Sequence, residues 1–276
     1  DPYDPVPEFS DRIEFDTSRL PRDPAVYRRL DPPNMHDLTP VEREYIQALY
    51  RAEVESVDDR VGYILAALRA NGLDSRTIVV FTADHGDMFG AHGHYGHGGA
   101  FWDPLLHIPL IFAGPGIDSG GRVSTFVSHL DLSPTLEQLA RIDFPDAYLG
   151  QSYMSLLAGG ALEDRVLYFD RITNLLNRKN KSQDAMLLDH FKLMVAGSPR
   201  NPRITMYDLS QDPGELTEIG RSRPELKERL LAEIMKIREE NQVRLVKNSE
   251  AIADDVDLES VSEETKKQLR ALGYID

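Results

Sequence analysis

The segment TIVVFTADHGDMFGAHGHYGHGGAFWDPLLHIPLIF, residues 77–112, decides the fold class of this chain. It begins with the apolar run 78–81, which lacks the alternation of a half-exposed strand and predicts a strand covered on both faces. A second apolar run, 109–112, closes the segment, and a short helix is expected at 133–141. Because helices that alternate with buried strands are typical of α/β folds, we expect a parallel or mostly parallel sheet flanked by helices.

A long amphipathic helix is predicted just before this segment. Thr39, Pro40 and Glu42 match an N-cap, a first-turn proline and a capping-box glutamate. Apolar residues then recur at helical spacing as far as Leu68, and the pattern ends near Asn71. The order of helix and then buried strand supports the α/β prediction.

The sequence changes character after about residue 159. Short strand-like pieces separated by polar turns follow, at 166–169, 186–195 and 204–209. They predict a small antiparallel sheet covered by an amphipathic helix at 224–241. We expect two units, an α/β domain at 1–158 and a small C-terminal subdomain at 159–276, the latter with an acidic linker at 249–260 and a terminal helix at 263–272.

The composition excludes several classes of partner. Asp and Glu number 46 against 31 Lys and Arg, a formal net charge of -15, so we expect no binding to nucleic acid phosphates. No apolar run approaches the roughly 18 residues of a membrane span. The chain has no cysteine, so a metal would need His, Asp, Glu, Asn or backbone ligands. Compartment and oligomeric state remain open.

Histidines and glycines concentrate in the loop between the two predicted strands. Five of the eight histidines lie there, interleaved with glycines: His85, His92, His94, His97 and His107. Loops at the carboxyl ends of strands bind ligands in α/β sheets. Asp84 and His85 lie at the strand exit, where a carboxylate and an imidazole can serve one metal ion. The alternative, a turn cap beside a structural histidine, is the commoner role for such a pair by itself, but the density of His and Gly favours the metal.

The same loop resembles the late active-site loop of the sulfatases, members of the alkaline phosphatase superfamily. Their pattern is a buried strand, S-D-H/N-G, G-x-H-G-x-x-G-K/H-G and a V-P-L strand. Further stretches agree in the order of the family: VDDRVG at 57–62, DLSPT at 131–135, MYDLSQDPGE at 206–215 and LRALGY at 269–274. The resemblance implies an alkaline phosphatase-like fold and hydrolysis of sulfate monoesters, with a small molecule or a saccharide as the alcohol.

The resemblance also implies roles for individual residues. Asp84 and His85 would be ligands of a single divalent metal, with calcium expected and manganese as the alternative. His97 occupies the position where many sulfatases have a lysine that contacts the sulfate, and it could donate a proton to the leaving oxygen. Its alternative role is packing or hydrogen bonding within the loop. His92 and His94 are expected to be structural or at the pocket rim.

Sulfatases use a cysteine or serine in C/S-x-P-x-R, modified to formylglycine, and no such motif occurs in this sequence. We therefore expect the nucleophile and the first metal-binding aspartates to lie in an N-terminal segment outside it, and this chain to be inactive by itself. Two alternatives remain. One is a phosphonate monoester or phosphodiester hydrolase of the same superfamily, and the other is a non-catalytic structural or interaction module.

Overall fold

The computed structural model describes residues 3–28, 37–97, 101–142, 149–171, 182–198 and 201–253. The helices are α1 (Pro7–Ser10), α2 (Pro24–Tyr27), α3 (Pro40–Ala70), α4 (Asp103–Leu106), α5 (Leu132–Ala140), α6 (Met154–Leu157) and α7 (Pro224–Ala253). The strands are β1 (Val79–Thr82), β2 (Leu110–Ala113), β3 (Leu167–Arg171), β4 (Ser182–Leu188), β5 (Phe191–Ser198) and β6 (Asn201–Asp208). None of the described helices is long and apolar enough to cross a bilayer.

Helix α3 begins and ends where the sequence predicts. The Glu42 carboxylate accepts a hydrogen bond from the Thr39 backbone N–H (2.7 Å), and the Glu42 N–H donates to the Thr39 hydroxyl (3.4 Å), which completes the capping box. Glu42 is buried and also accepts from the Tyr27 hydroxyl at 2.8 Å. Burial would raise the pKa of Glu42, but the hydrogen bonds from Thr39 and Tyr27 outweigh it and lower this pKa. The charged cap thus ties the N-terminal segment to α3.

An aromatic cluster holds the first half of α3. It consists of Tyr3, Tyr27, Leu38, Tyr45, Ile46, Leu49 and Tyr95. Tyr95 belongs to the histidine-rich loop, so this cluster also anchors that loop. The second half of α3 differs, because its apolar side chains Val54, Val57 and Ile64 are exposed.

Strands β1 and β2 pair with each other and run antiparallel, with Val79 opposite Ala113 and Thr82 opposite Leu110. No parallel pair occurs among the described strands, although the sequence suggests a mostly parallel sheet. The physical reason lies in the connection. A parallel pair needs a crossover, usually a long helix, whereas the chain here returns through a glycine-rich loop and the four-residue α4. An antiparallel pair at the edge of a mostly parallel sheet is common. Every residue of β1 is half-buried rather than covered on both faces.

The C-terminal strands form one antiparallel sheet in the order β3-β4-β5-β6, which confirms the predicted sheet. One face packs against α7 through Met186, Leu193, Val195, Met206, Leu230 and Ile234. The opposite face carries Ala185, Met194 and Tyr207, which pack against Phe101 and Trp102. This second face therefore contacts the segment that follows the histidine-rich loop.

Two details of the C-terminal part differ from the prediction. The run 186–195 is two strands joined by a tight turn, in which Asp189 adopts a left-handed conformation (φ 55°). Helix α7 continues to Ala253, into the stretch expected to be a linker. The predicted terminal helix at 263–272 lies outside the described residues, and the division into 1–158 and 159–276 stays a prediction.

Candidate functional site

The end of β1 opens into a cavity of about 1080 Å³. Asp84, His85 and His97 line it, and so do Phe169 and Lys192 of the C-terminal sheet. The structure thus brings together the three residues that the sequence singles out. It also adds a wall from the C-terminal part, which sequence patterns did not associate with the site.

The histidine-rich loop is compact because backbone hydrogen bonds close it on itself. The Met88 N–H donates to the Gly96 carbonyl at 3.1 Å, and the Gly90 N–H donates to the His94 carbonyl at 2.7 Å. Gly90 and Gly96 adopt positive φ angles of 87° and 69°, which glycine tolerates without strain. The side chain of Met88, within the loop, is buried. These turns reverse the chain and return His97 to the strand exit.

Asp84 and His85 present an oxygen and a nitrogen side by side. The Asp84 side chain is 87% exposed, and its Oδ2 lies 3.6 Å from His85 Nε2. His85 Nδ1 lies 2.9 Å from the Gly86 carbonyl oxygen. Because a carbonyl only accepts, the neutral His85 ring donates from Nδ1 and keeps its lone pair on Nε2. The hydrogen bond from the His85 N–H lowers the pKa of Asp84, which favours the carboxylate.

These two groups fit part of a divalent metal site. A metal-bound imidazole usually donates its other N–H to a carbonyl or carboxylate, as His85 does here. Adjacent ligands of one ion lie roughly 3 Å apart for metal–ligand distances of about 2.0 to 2.5 Å, close to the separation of Oδ2 and Nε2. In the part of the chain that the structure describes, no group of three or more His, Cys, Asp or Glu side chains could hold a metal. The role of Asp84 and His85 as ligands stays a prediction.

His97 lies against His85, one of the two predicted metal ligands. Its ring stacks on the ring of His85, with centroids 4.5 Å apart and an angle of 25° between the planes. The side chain is exposed to the cavity. This position suits a proton donor close to a bound ester, but stacking is also a packing role, so both predictions for His97 stay open.

The other histidines of the loop region have structural contacts. His92 stacks on Trp102 with ring centroids 3.7 Å apart and nearly parallel planes. Burial in this stack lowers the pKa of His92. His107 Nδ1 lies 3.3 Å from the Asp103 carboxylate. The contact of His92 agrees with the structural role predicted for it.

The segment that precedes α5 contributes a residue that sequence patterns missed. His129 Nε2 lies 2.8 Å from the carbonyl oxygen of Ala83, next to Asp84, and His129 lines the cavity. The Asp131 carboxylate accepts from the Ser128 N–H at 2.7 Å and completes the capping box of the short 3₁₀ turn at His129–Asp131, whereas its side chain forms no capping hydrogen bond to α5. Asp131 is also buried and forms an ion pair with Arg165. Only the tertiary structure brings His129 to the strand exit, so local sequence carries no signal for it.

Comparison with known families identifies the chain. A profile of the Sulfatase family matches residues 15–142, and a profile described as "N-sulphoglucosamine sulphohydrolase, C-terminal" matches residues 90–240. The chain belongs to the sulfatase family. The second match extends from the histidine-rich loop into α7, so both parts of this sulfatase chain follow the family pattern.

Similar proteins agree with this assignment. Arylsulfatase K of Xenopus laevis is 34% identical over 188 residues, which are 65% of this sulfatase chain and 34% of the relative. Arylsulfatase K of Bos taurus is 30% identical over 193 residues, 68% of this chain and 36% of the relative. The chain thus spans about a third of the length of these curated relatives.

Solved structures show the same fold. A protein in complex with its substrate D-glucosamine-2-N,6-O-disulfate has a TM-score of 0.63 and 24% identity, covering 81% of this chain and 45% of that one. The phosphonate monoester hydrolase of Agrobacterium radiobacter has a TM-score of 0.63 and 27% identity, covering 74% and 43%. These likenesses confirm the predicted alkaline phosphatase-like α/β fold with its small antiparallel sheet.

Proposed function

We propose that the protein hydrolyses sulfate monoesters and that this chain provides part of its metal site and one wall of its substrate cavity. The pairing of Asp84 Oδ2 with the Nε2 lone pair of His85, 3.6 Å apart in a cavity at the strand exit, is the observation that carries the proposal. Membership of the sulfatase family supplies the reaction class.

In this proposal, three residues of the chain have separate roles in metal binding and proton transfer. Asp84 and His85 would hold one divalent cation, calcium or manganese, with further ligands from outside the chain. When bound, the cation offsets negative charge on the sulfate oxygens. His97 would donate a proton to the alcohol oxygen as its bond to sulfur breaks, so that the alcohol leaves neutral.

The nucleophile would come from sequence outside these 276 residues. The chain contains no cysteine and no S-x-P-x-R, and formylglycine is the nucleophile that the family resemblance implies. The chain also spans about a third of the length of its curated relatives. The isolated chain should therefore hydrolyse no ester, and turnover by it would contradict this division of the site.

A sulfated saccharide is the substrate class that we propose. One structural neighbour was solved with D-glucosamine-2-N,6-O-disulfate as its substrate, and the matching C-terminal profile takes its name from N-sulphoglucosamine. Ligand cavities commonly measure about 300 to 1000 Å³, so a cavity of about 1080 Å³ can hold a sugar ring with its sulfate.

The second candidate is hydrolysis of phosphonate monoesters, which the 27% identity to the hydrolase of Agrobacterium radiobacter favours. Two esters with the same leaving group separate the candidates: 4-nitrophenyl sulfate and 4-nitrophenyl phenylphosphonate, each assayed with the protein at its full natural length. We expect the larger kcat/KM for the sulfate. A larger kcat/KM for the phosphonate would replace the first proposal by the second. If the protein hydrolyses neither ester and no sulfated sugar, a non-catalytic module would be favoured.

A further inference from the structure

A lysine and a glutamate form a buried ion pair beside the candidate site. Lys192 lies on β5 and Glu215 in the turn that follows β6, and their side chains are 1% and 0% exposed. Lys192 Nζ lies 2.7 Å from Glu215 Oε1 and 3.8 Å from Asp103 Oδ1. Removing two charges from water is costly, so a buried pair of this kind contributes little to stability by itself. Its contacts are the better guide to its role.

The second oxygen of Glu215 holds the start of α4. Glu215 Oε2 accepts a hydrogen bond from the Asp103 N–H at 2.7 Å, although the two residues are 112 positions apart in sequence. Asp103 is the first residue of α4, and no hydrogen bond within that helix can satisfy its N–H. The C-terminal part of the chain thus caps the short helix that follows the histidine-rich loop.

Helix α4 in turn fixes the backbone next to the metal pair. The Leu105 carbonyl accepts a hydrogen bond from the Gly86 N–H at 2.9 Å, and Gly86 directly follows His85. A Cβ atom at Gly86 would lie 2.0 Å from the Pro104 carbonyl oxygen, so the two backbones are in direct contact. A shift of α4 therefore has to move Gly86, whose carbonyl orients the His85 ring.

We propose that Glu215 and Lys192 are positioning residues for the Asp84–His85 pair. Glu215 anchors α4, α4 holds Gly86, and Gly86 sets the direction of His85. Lys192 keeps the Glu215 carboxylate in place. Neither Glu215 nor Lys192 needs to touch substrate or metal. The part of this inference that concerns metal affinity rests on the proposed function, whereas the part that concerns the backbone does not.

The test uses the protein at its full natural length and two measurements. The first is amide hydrogen exchange of Gly86 in metal-free protein, relative to the amide of Leu49 in α3, which is buried in a different cluster from α7. The second is the affinity for Ca²⁺ and for Mn²⁺. Glu215→Ala and Lys192→Met should each speed the relative exchange of Gly86 by about tenfold or more. They should weaken metal binding by about 10- to 100-fold, the usual effect of losing an outer contact to a ligand.

Leu193→Ala is the matched control. Leu193 neighbours Lys192 on β5 but lies on the opposite face, buried against α7. This variant should lower the thermal midpoint while leaving the relative exchange of Gly86 and the metal affinity within about twofold of the parent. If Leu193→Ala changes both quantities as much as Glu215→Ala does, general destabilisation explains the result and the proposal fails.

The double variant Lys192→Met/Glu215→Gln provides an alternative test of the proposal if a single variant folds poorly. It leaves no unpaired buried charge, and the glutamine oxygen can still accept from the Asp103 N–H. Gly86 exchange in the double variant should be closer to the parent than in Lys192→Met. Parental Gly86 exchange in folded Glu215→Ala would overturn the proposal. A parent protein that binds no divalent cation would instead refute the proposed function, and Gly86 exchange would still decide the positioning role.

Discussion

The C-terminal sheet with α7 and the β1–β2 region with its loop use their apolar residues in different ways. In the sheet, Met186, Leu193 and Met206 are fully buried and packed against Leu230 and Ile234 of α7. In β1 no residue is fully buried, and Ile111 of β2 is 57% exposed. The first region carries its own core, whereas the second carries the exposed carboxylate and imidazoles of the candidate site.

Because of this difference, we expect substitutions in one region to change mainly the stability and substitutions in the other to change mainly the reaction rate. Side chains that line the cavity at Asp84, His85 and His97 have few packing partners, so substitutions there should leave the folded state intact. Side chains between the sheet and α7 lie on the face of the sheet that does not contact Phe101 and Trp102, so substitutions there should lower stability and leave the reaction unchanged. Lys192 and Glu215 differ from this core, because they belong to the C-terminal part but contact Asp103 of α4.

The largest effect is expected at the metal pair. In the full-length protein, Asp84→Asn should remove a ligand charge, lower metal content and reduce kcat/KM by about 10³-fold or more, since a metal contributes several kcal/mol of charge stabilisation. The thermal midpoint in metal-free buffer should stay the same, because Asp84 is exposed. Metal analysis and calorimetry check both parts. Parental metal content in Asp84→Asn and in His85→Ala would remove these residues from the site.

The next effect concerns His97 and depends on the leaving group. Loss of a general acid costs about 10²- to 10⁴-fold when the alcohol is a poor leaving group and much less when it is activated. His97→Ala should therefore slow alkyl or sugar sulfates far more than 4-nitrophenyl sulfate, with metal content unchanged. A series of esters of graded alcohol pKa measures this slope. Equal losses across the series would assign His97 to loop packing or sulfate binding.

A substitution in the C-terminal core should give the reverse pattern. Leu193→Ala creates a cavity between the sheet and α7 and should lower the free energy of unfolding by about 2 to 5 kcal/mol. At temperatures where the variant is folded, kcat/KM should remain within about twofold of the parent. Denaturant titration and kinetics on the same sample check the pair of outcomes. A large loss of kcat/KM in folded Leu193→Ala would mean that packing between the sheet and α7 also affects the candidate site.

The smallest effect is a pH dependence at the contact between the regions. Burial against Trp102 lowers the pKa of His92 below its ordinary value of 6.5. The unfolded chain then binds the proton more readily, so this contribution to stability is present above about pH 6.5 and is lost as the pH falls through the lower folded pKa. His92→Phe keeps a ring on Trp102 and should show a flatter decline of unfolding free energy between pH 7.5 and 5. Identical slopes would exclude His92 as the source.

Local signals in the sequence were sufficient for some features and not for others. The capping box at Thr39 and the strand before Asp84 depend on neighbouring residues, and both were predicted. The turn at Asp189 was missed because residues 186–195 contain no glycine, proline or asparagine, and the signal for a reversal was Asp189 itself, a residue type that tolerates the left-handed conformation. Antiparallel pairing of β1 with β2 depends on the path of the loop, which residue patterns do not fix.

The candidate site shows the same division. Asp84 and His85 were predicted from residue type and from their place at the strand exit, and His97 from the resemblance to the sulfatases. The structure brings all three into one cavity. The contacts of His129 with Ala83 and of Glu215 with Asp103 join residues 46 and 112 positions apart. Such contacts arise from tertiary packing, so no local pattern could reveal them. The motif that contains Glu215 was visible in the sequence, but its partner was not.

The hydrogen bond between Glu215 and Asp103 has a consequence for the order of folding. Strands β3 to β6 pair with their neighbours in sequence, so the sheet closes short loops and can form quickly. The Asp103 contact spans 112 residues, and at about 5 to 20 residues per second a ribosome needs roughly 6 to 22 s to synthesise that length. The strand exit with Asp84 and His85 is therefore synthesised well before its support. During translation, Asp84 and His85 therefore leave the ribosome before Glu215, in the turn that follows β6, can hold α4 in place.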